Sequence, residues 1–314
     1  MSSVDKPVVL VLGGSGLLGY HCYQGLKNNY NVIMTYNKHN LDIVNCEYFD
    51  VFSGEEALLK LLNKHRPDVI INNIAYVTVE GCESNPILAE KLNSDFVSTL
   101  VTSLKKAELE NSHLIHISSD SVYGLQSKGL NQAWVETDSV NPISIYSKTK
   151  LAGERFASQH FGNVSILRVA FYGINPKLLH ESGLLGFILS NAVVGKMLDG
   201  WTNVYFTPIS ASSLVSVMDV MIKNNTTGIY NVGSTDSCNK YDFVEAVCSH
   251  LDLTTTINKT ISNPFNEKVI RPDFTVLNSE KLSVDLSLTF SWQKDLDEYL
   301  SSYDEKSIKE MLTN

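Results

Sequence analysis

Val8-Val9-Leu10-Val11-Leu12 is an unbroken run of β-branched and leucine residues, and it stops abruptly at Gly13-Gly14-Ser15-Gly16-Leu17-Leu18-Gly19. An apolar run without alternation suits a parallel strand covered by helices on both faces. A helical stretch follows from Leu17 to about Asn28, so Gly13, Gly16 and Gly19 fall in the connection between a strand and a helix. There the first glycine permits a tight turn, the second lets the backbone approach a pyrophosphate, and the third lets helix and strand pack closely. The helix N-terminus adds free N–H groups and a partial positive charge for the phosphates.

The same rhythm continues along the chain. Strands are expected at Asn31 to Thr35, around Tyr48-Phe49 ending at Asp50, at Asp68 to Asn72, at Leu114 to Ser118 and at Val164 to Val169. Between them, Ser53 is expected to cap a helix through His65, with Glu56 at its third position completing a capping box. Pro86 opens a long helical segment to about Glu110, and Ile145 to Phe161 is a further helix. Strands alternating with helices point to an α/β fold of the Rossmann type, a doubly wound parallel sheet with right-handed crossovers. Beyond Arg168 the pattern is less regular. Helices are expected at Gly183 to Asn191, Ser210 to Lys223, Lys240 to Ser249 and from about Gln293, with a strand at Gly228 to Gly233. The expected organisation is a dinucleotide-binding domain over 1–170 that regains a strand near 228–233, and a smaller α/β substrate domain over 171–314, with an interleaved boundary.

Composition narrows the partners. In 314 residues, 43% are hydrophobic and 19% charged, as in ordinary globular proteins. A formal charge of −9, with Arg66, Arg155, Arg168 and Arg271 the only arginines, argues against nucleic acid or an acidic membrane surface as partner. Five cysteines without a C-x-x-C pair suggest neither a disulfide framework nor a zinc site, and eight histidines show no metal-binding spacing. No apolar run is long enough to span a bilayer and no targeting signal is evident, so a reducing, cytoplasmic setting is expected.

Cofactor choice turns on the end of the second strand, where an acid would bind the ribose hydroxyls of NAD. Thr35-Tyr36-Asn37-Lys38-His39 has no acid there, which favours NADPH, with Lys38 as the candidate contact for the 2′-phosphate. Asp50-Val51 is placed to cap the adenine, and Asn72-Asn73-Ile74-Ala75 ends the fourth strand where the cofactor passes. Downstream, Tyr146-Ser147-Lys148-Thr149-Lys150 sets a phenol and an ammonium on one helical face. Alone this spacing is weak, and Tyr23/Lys27 repeats it in the glycine-loop helix. It gains meaning from Ser118-Ser119-Asp120-Ser121, which ends a strand in hydroxyls at the ligand-binding edge of the sheet. Reducing a ketone builds charge on its oxygen and needs a proton donor. Tyrosine titrates near about 10, a neighbouring Lys150 cation would lower it, and Ser119 would hold the carbonyl oxygen. Arg168, at a strand end, reads as an internal partner, and Arg271 is the better contact for a diphosphate. His113, His116, Trp134 and Trp292 read as packing residues.

Taken together, these residues resemble the extended short-chain dehydrogenase/reductase family, in its dTDP-4-dehydrorhamnose reductase branch. The resemblance runs through the Gly13 to Gly19 loop, Asp50, Ile71 to Pro86, Leu92-Asn93, Ser118-Ser119-Asp120, Glu136 to Asp138 with Pro142, Tyr146 to Lys150, Leu167-Arg168, Arg271-Pro272 and Leu277-Asn278. It implies that Ser119, Tyr146 and Lys150 form a catalytic triad. It also implies cofactor contacts at Gly13, Ser15, Gly16, Leu17, Leu18, Gly19, Asn37, Lys38, Asp50, Val51, Asn73, Ala75, Tyr76 and Asn93, besides Tyr146 and Lys150. Substrate contacts are implied at Ser119, Asp120, Ser121, Phe171 and Arg271. The implied activity is NADPH-dependent reduction of a 4-keto-6-deoxy nucleotide-sugar, dTDP-4-dehydro-L-rhamnose to dTDP-L-rhamnose, in a homodimer. Two residues depart from the family pattern: Ser147 stands where glycine usually follows the tyrosine, and Phe171 where the rhamnose reductases place tryptophan. Asp120 is followed by Ser121 rather than the glutamate usual in dehydratases, which argues against dehydration. Epimerisation with the same triad is one alternative. Another is an NADP-binding regulatory subunit like that of methionine adenosyltransferase, a related group of the same branch.

Overall fold

The computed structural model describes residues 6–41, 43–125, 132–179, 183–263 and 269–313. In chain order the first half runs β1 (Val8–Leu12), α1 (Leu17–Leu26), β2 (Asn31–Tyr36), β3 (Cys46–Tyr48), α2 (Gly54–His65), β4 (Val69–Asn72), α3 (Val79–Ser84), α4 (Pro86–Glu90), α5 (Phe96–Lys106), β5 (His113–Ile117), α6 (Ile145–His160) and β6 (Val164–Val169). The second half runs β7 (Phe171–Tyr172), α7 (Gly183–Ala192), β8 (Leu198–Trp201), β9 (Tyr205–Phe206), β10 (Ile209–Ser210), α8 (Ala211–Asn224) and β11 (Gly228–Val232). It ends with β12 (Cys238–Asn239), α9 (Lys240–His250), β13 (Ile257–Thr260), β14 (Phe274–Thr275), α10 (Glu280–Leu286), α11 (Trp292–Leu300) and α12 (Glu305–Thr313).

Seven strands form one sheet in the order β11-β6-β5-β4-β1-β2-β3. The pairs from β6 across to β3 are parallel, with Val9 beside Val32 on one side and Val69 on the other. This is the Rossmann-type α/β fold. The order reverses beside β1, between β4 and β2, so the glycine loop leaves β1 at the switch point where open α/β sheets take ligands.

The chain divides into two compact units. The first comprises Met1–Ser118, Ser144–Leu167 and Val215–Ile229; the second comprises Ser119–Ile143, Arg168–Leu214 and Tyr230–Asn314. In the first, Leu10, Leu12, Ile70, Leu58, Leu62, Leu100, Leu104 and Leu114 form a core between the sheet and its helices, each fully buried. In the second, Phe243 and Val247 of α9, Leu185, Ile188 and Leu189 of α7, and Leu296 and Leu300 of α11 form a separate core.

Local chemistry explains where the elements begin and end, and corrects three expectations. Ser53 does not cap α2. Its backbone is already helical (φ −72°, ψ −3°), because Val51–Ser53 form a single 3-10 turn capped by Asp50, whose carboxylate accepts from Phe52 N at 3.0 Å. Glu55 and Glu56 still suit the first turn of α2, and Lys64 and His65 its last, by complementing the helix dipole. The segment from Pro86 is not one helix to Glu110. Asn85 caps α4 by accepting from Leu88 N at 3.1 Å, a π turn at Lys91–Asp95 interrupts the helical path, and α5 ends at Lys106. A left-handed Glu108 (φ 54°) follows that end and turns the chain toward β5. Finally, the closing region holds α10, α11 and α12 rather than a single last helix.

Candidate active site

In the first unit the glycine loop is built by crowding at some positions and openness at one. Gly13 adopts φ +75°, a left-handed conformation that favours glycine. A Cβ on Gly19 would stand 2.3 Å from Gly14 O, so α1 can approach the loop only without a side chain there. At Gly16 a Cβ would meet only Gly13 O at 3.4 Å. Thr35 clamps the loop from β2. Its buried hydroxyl accepts from Gly13 N at 3.0 Å and donates to Val11 O at 3.3 Å, and its carbonyl accepts from Ser15 N at 3.2 Å.

Two observations fit a dinucleotide here, the first for its phosphates and the second for a hydroxyl or amide donor elsewhere on it. Gly16 begins α1 with no side chain capping the helix, leaving its N-terminus for an anion. Asn73, just past β4, has a buried Oδ1 with no hydrogen-bond partner, an acceptor awaiting a donor.

Leu17 is half-buried and Leu18 buried at the start of α1. Asn37 and Lys38 are exposed after β2, while Asp50, Val51, Ala75 and Tyr76 are half-buried. Asn93 is fully buried, with every polar atom engaged inside the fold. Its Oδ1 accepts from Tyr76 N at 2.7 Å, and its Nδ2 donates to Tyr76 O at 3.2 Å and Thr149 Oγ1 at 3.0 Å.

Helix α6 carries the phenol and the ammonium. Ser144 and Ser147 form a reciprocal capping box, each hydroxyl accepting from the other's backbone N–H at 3.1 Å, and Glu83 accepts from Ile145 N at 2.7 Å. Ser147 thus fixes the start of the helix just where Tyr146 emerges. Tyr146 is half-buried; Lys150, one turn on, is 3% exposed and its Nζ donates to Ile117 O at 2.5 Å. Burial pulls the Lys150 ammonium down to about 8, against the opposing charge of Glu154. His116 of β5 is buried, and burial drives its imidazole well below the usual histidine range, helped by the Lys150 charge.

In the second unit, Ser119 caps the short 3-10 turn Asp120–Tyr123. Its Oγ accepts from Ser121 N at 3.2 Å, donates to Asp120 Oδ1 at 3.0 Å, and lies 2.9 Å from Ser121 Oγ. Burial raises the Asp120 carboxyl, while a hydrogen bond from Thr275 and the Lys240 cation act the other way. Lys240 is in turn drawn down to about 8 by burial, its Nζ 3.3 Å from the Phe206 ring centre. Phe171 is half-buried in β7, registered against Ile209, and Arg271 is half-buried shortly before β14. Arg168 is an internal partner, as expected. It is buried, donates to Tyr123 Oη at 2.9 Å and lies 4.8 Å over the Tyr123 ring, which stacks on Trp134.

Thus Tyr146 and Lys150 share one helix of the first unit, and Ser119, Asp120 and Ser121 share one turn of the second. Sequence reasoning missed three participants. Thr35 and Lys240 act through long-range contacts that leave no local signature. Glu154 did leave one, since it repeats the helical spacing one turn beyond Lys150.

A glycine loop at the switch point of a parallel sheet, with Tyr-x-x-x-Lys on the helix after β5, defines the extended short-chain dehydrogenase/reductase class of oxidoreductases. Within that class the chain belongs to the RmlD substrate binding domain family, whose sequence model matches residues 7–305. A dTDP-4-dehydrorhamnose reductase of Salmonella typhimurium is 26% identical over 317 residues, 97% of this chain and 97% of its own. The reductase of the same name from Shigella flexneri is 32% identical over 163 residues, 52% of this chain and 50% of its own. Methionine adenosyltransferase 2 subunit beta of Danio rerio is 32% identical over 178 residues, 56% of this chain and 51% of its own. These last two matches therefore span about half the length of each relative. Among solved structures, the dTDP-4-dehydrorhamnose reductase of Bacillus anthracis in complex with NADP has a TM-score of 0.81 at 20% identity, covering 95% of this chain and 100% of its own. No described helix is long and apolar enough to cross a membrane.

Proposed function

We propose that the chain reduces the ketone of a 4-keto-6-deoxy nucleotide-sugar with NADPH, and that its substrate is dTDP-4-dehydro-L-rhamnose, giving dTDP-L-rhamnose. The observation that carries this reading is the placement of Lys150, whose Nζ is bonded to the last residue of β5 while Tyr146 stands one turn earlier on the same helix. The nicotinamide, when bound, supplies the hydride equivalent. Tyr146 gives its phenol proton to the carbonyl oxygen as the C–H bond forms, so the ketone becomes an alcohol, and Tyr146 is reprotonated from water. Lys150 holds positive charge beside the phenol, which favours release of that proton, and binds the nicotinamide ribose. Ser119 orients the carbonyl oxygen, with Asp120 and Ser121 holding its hydroxyl in place.

In this reading the first unit takes the dinucleotide at the Gly13 to Gly19 loop, with Asn73, Ala75 and Tyr76 along its path and Asp50-Val51 at the adenine. Lys38 and Asn37 take the 2′-phosphate, in the place where an acid would select NAD. The second unit takes the nucleotide-sugar, with Arg271 at the diphosphate and Phe171 near the sugar. Two copies would form the homodimer implied by the resemblance, working in the cytoplasm.

A second reading, a subunit that binds NADP without turnover, draws on the 32% identity to the zebrafish beta subunit. One experiment separates the two. Purified protein and NADPH are mixed with enzymatically made dTDP-4-keto-6-deoxy sugar and its epimerase, and loss of nicotinamide absorbance is followed for wild type and Tyr146→Phe. Turnover that collapses in the variant supports the reductase; NADPH binding without turnover in the wild type sinks it and favours the subunit.

A further inference from the structure

Lys150 is not held by Ile117 alone. Two side chains one helical turn apart on α6 reach neighbouring residues at the end of β5. Lys150 Nζ donates to Ile117 O at 2.5 Å, and Glu154 Oε2 accepts from Ser118 Oγ at 2.9 Å. Both α6 residues are almost wholly buried, Lys150 at 3% and Glu154 at 2% exposure. A buried carboxylate is costly unless it is hydrogen-bonded and faces a cation, and a buried ammonium is costly unless it faces an anion. The i,i+4 spacing of the two puts each within reach of the other's charge.

Resting on the reading of Lys150 given above, we propose that Glu154 is the counter-charge that keeps Lys150 cationic, and is therefore a positioning residue for the reductase site. Ser118 completes the device. By donating to Glu154 Oε2, its hydroxyl ties that side chain to the end of β5.

The other groups around Lys150 do not substitute for Glu154. From β5, His116 faces it, but Asn72 Nδ2 lies 3.2 Å from His116 Nδ1, and burial keeps the ring neutral. Asn72 Oδ1 already accepts from Ile74 N at 3.2 Å, so Asn72 presents its N–H to the imidazole. The π turn packed on α6 presents Asn93 to Thr149, an uncharged contact. The charge that α3 brings to α6 is Glu83, which accepts from Ile145 N at the helix start. Lys105 and Lys106 of α5 lie in its last turn. Among these groups, Glu154 is the anion that acts against the burial of the ammonium.

The test is the titration of Lys150 itself in the full chain, without substrate. Protein is labelled at lysine Cε with carbon-13, and the Lys150 signal is assigned by its loss in Lys150→Met. Wild type should titrate near about 8. Glu154→Gln keeps an acceptor for Ser118 but removes the charge, and should lower the midpoint by about one to three pH units. Glu154→Asp, which keeps the charge, should lower it less. An unchanged midpoint in Glu154→Gln, or equal falls in the Gln and Asp variants, overturns the proposal.

A stability cycle of Lys150→Met, Glu154→Gln and the double variant covers the case in which Glu154→Gln folds poorly. A double variant more stable than the two single losses predict supports the pairing, and additive losses overturn it. The titration is read on the protein alone, so it stands apart from whether the chain reduces a keto-sugar. If it does, the Glu154→Gln rate of NADPH oxidation should be depressed at neutral pH and recover toward lower pH, where Lys150 regains its proton.

Discussion

Asn93 Nδ2 donates to Thr149 Oγ1 at 3.0 Å, tying the π turn that divides α4 from α5 to the helix that carries Tyr146 and Lys150. The contact is closer still at the backbone. A Cβ on Gly153 would lie 2.3 Å from Asn93 O, so the two helical segments meet with no side chain between them. The π turn is what brings the Asn93 backbone to that place, and Asn93 then fixes the loop after β4 through Tyr76 and α6 through Thr149.

Asn93→Leu should therefore lower stability by about 2–4 kcal/mol, because it leaves the half-buried Tyr76 N–H without its acceptor and removes two further bonds. Urea denaturation measures this directly. A change under about 0.5 kcal/mol, the range of ordinary surface substitutions, would show that the loop finds other partners.

Gly16→Ala and Gly19→Ala should behave differently. The Gly19 variant drives a Cβ into Gly14 O and should fold poorly, whereas the Gly16 variant meets only Gly13 O at 3.4 Å and should keep a near-wild-type melting temperature. The Gly16 variant should nevertheless bind NADPH at least about tenfold more weakly, since an added methyl would face the phosphates. Fluorescence titration of NADPH on both proteins checks the pair, and undiminished binding by Gly16→Ala would place the pyrophosphate elsewhere.

His113 gives the fold a pH dependence. Burial lowers its imidazole from 6.5 to about 4 in the native chain, while Nε2 shares a 2.7 Å hydrogen bond with Ser165 Oγ. Between those values the unfolded chain binds the extra proton and the folded chain does not, so stability must fall as pH drops from 6.5 toward 4. The part due to His113 amounts to about 3 kcal/mol over that window. Unfolding free energies at several pH values should show a steeper acid loss for wild type than for His113→Gln. Parallel curves would mean that His113 is protonated in the native state.

The carboxylate of Asp295 gathers four donors in the second unit: Tyr172 Oη at 3.0 Å, Ser210 N at 2.5 Å, Ser210 Oγ at 2.8 Å and Ser213 Oγ at 2.5 Å. It fastens α11 to β7, β10 and α8. Asp295→Asn replaces an acceptor by a donor and should cost about 2–4 kcal/mol, with NADPH affinity of the folded protein unchanged. A Tm equal to wild type would show that the amide re-pairs without strain.

The parts of the chain that sequence made legible are those in which neighbouring residues carry the signal. β1 announces itself because every residue from Val9 to Leu12 is buried, and the glycine loop because its spacing and its place after a strand coincide. Tyr146 and Lys150 are legible for the same reason, sharing one helical face. The misreadings arise where a distant or adjacent element intervenes. Ser53 has the composition of a cap, but the turn begun at Asp50 had already drawn it into a helical backbone. The π turn at Lys91–Asp95 leaves the apolar pattern unbroken and so cannot be seen in it. Lys240 acts on Asp120 across more than a hundred residues of sequence, and Thr35 meets Val11 and Gly13 only once the sheet has formed.

The division of the chain has a consequence for its birth on the ribosome. The backbone crosses from one unit to the other five times, at 118–119, 143–144, 167–168, 214–215 and 229–230. The first unit lacks its third segment until residue 229 has been made, and the second stays incomplete until its last long segment follows. Vectorial synthesis therefore cannot finish one unit before starting the other, unlike proteins whose domains fold in tandem from the N-terminus. Nascent chains stalled near residue 170 should expose the apolar surface that Val215–Ile229 later covers, making them the natural clients of chaperones.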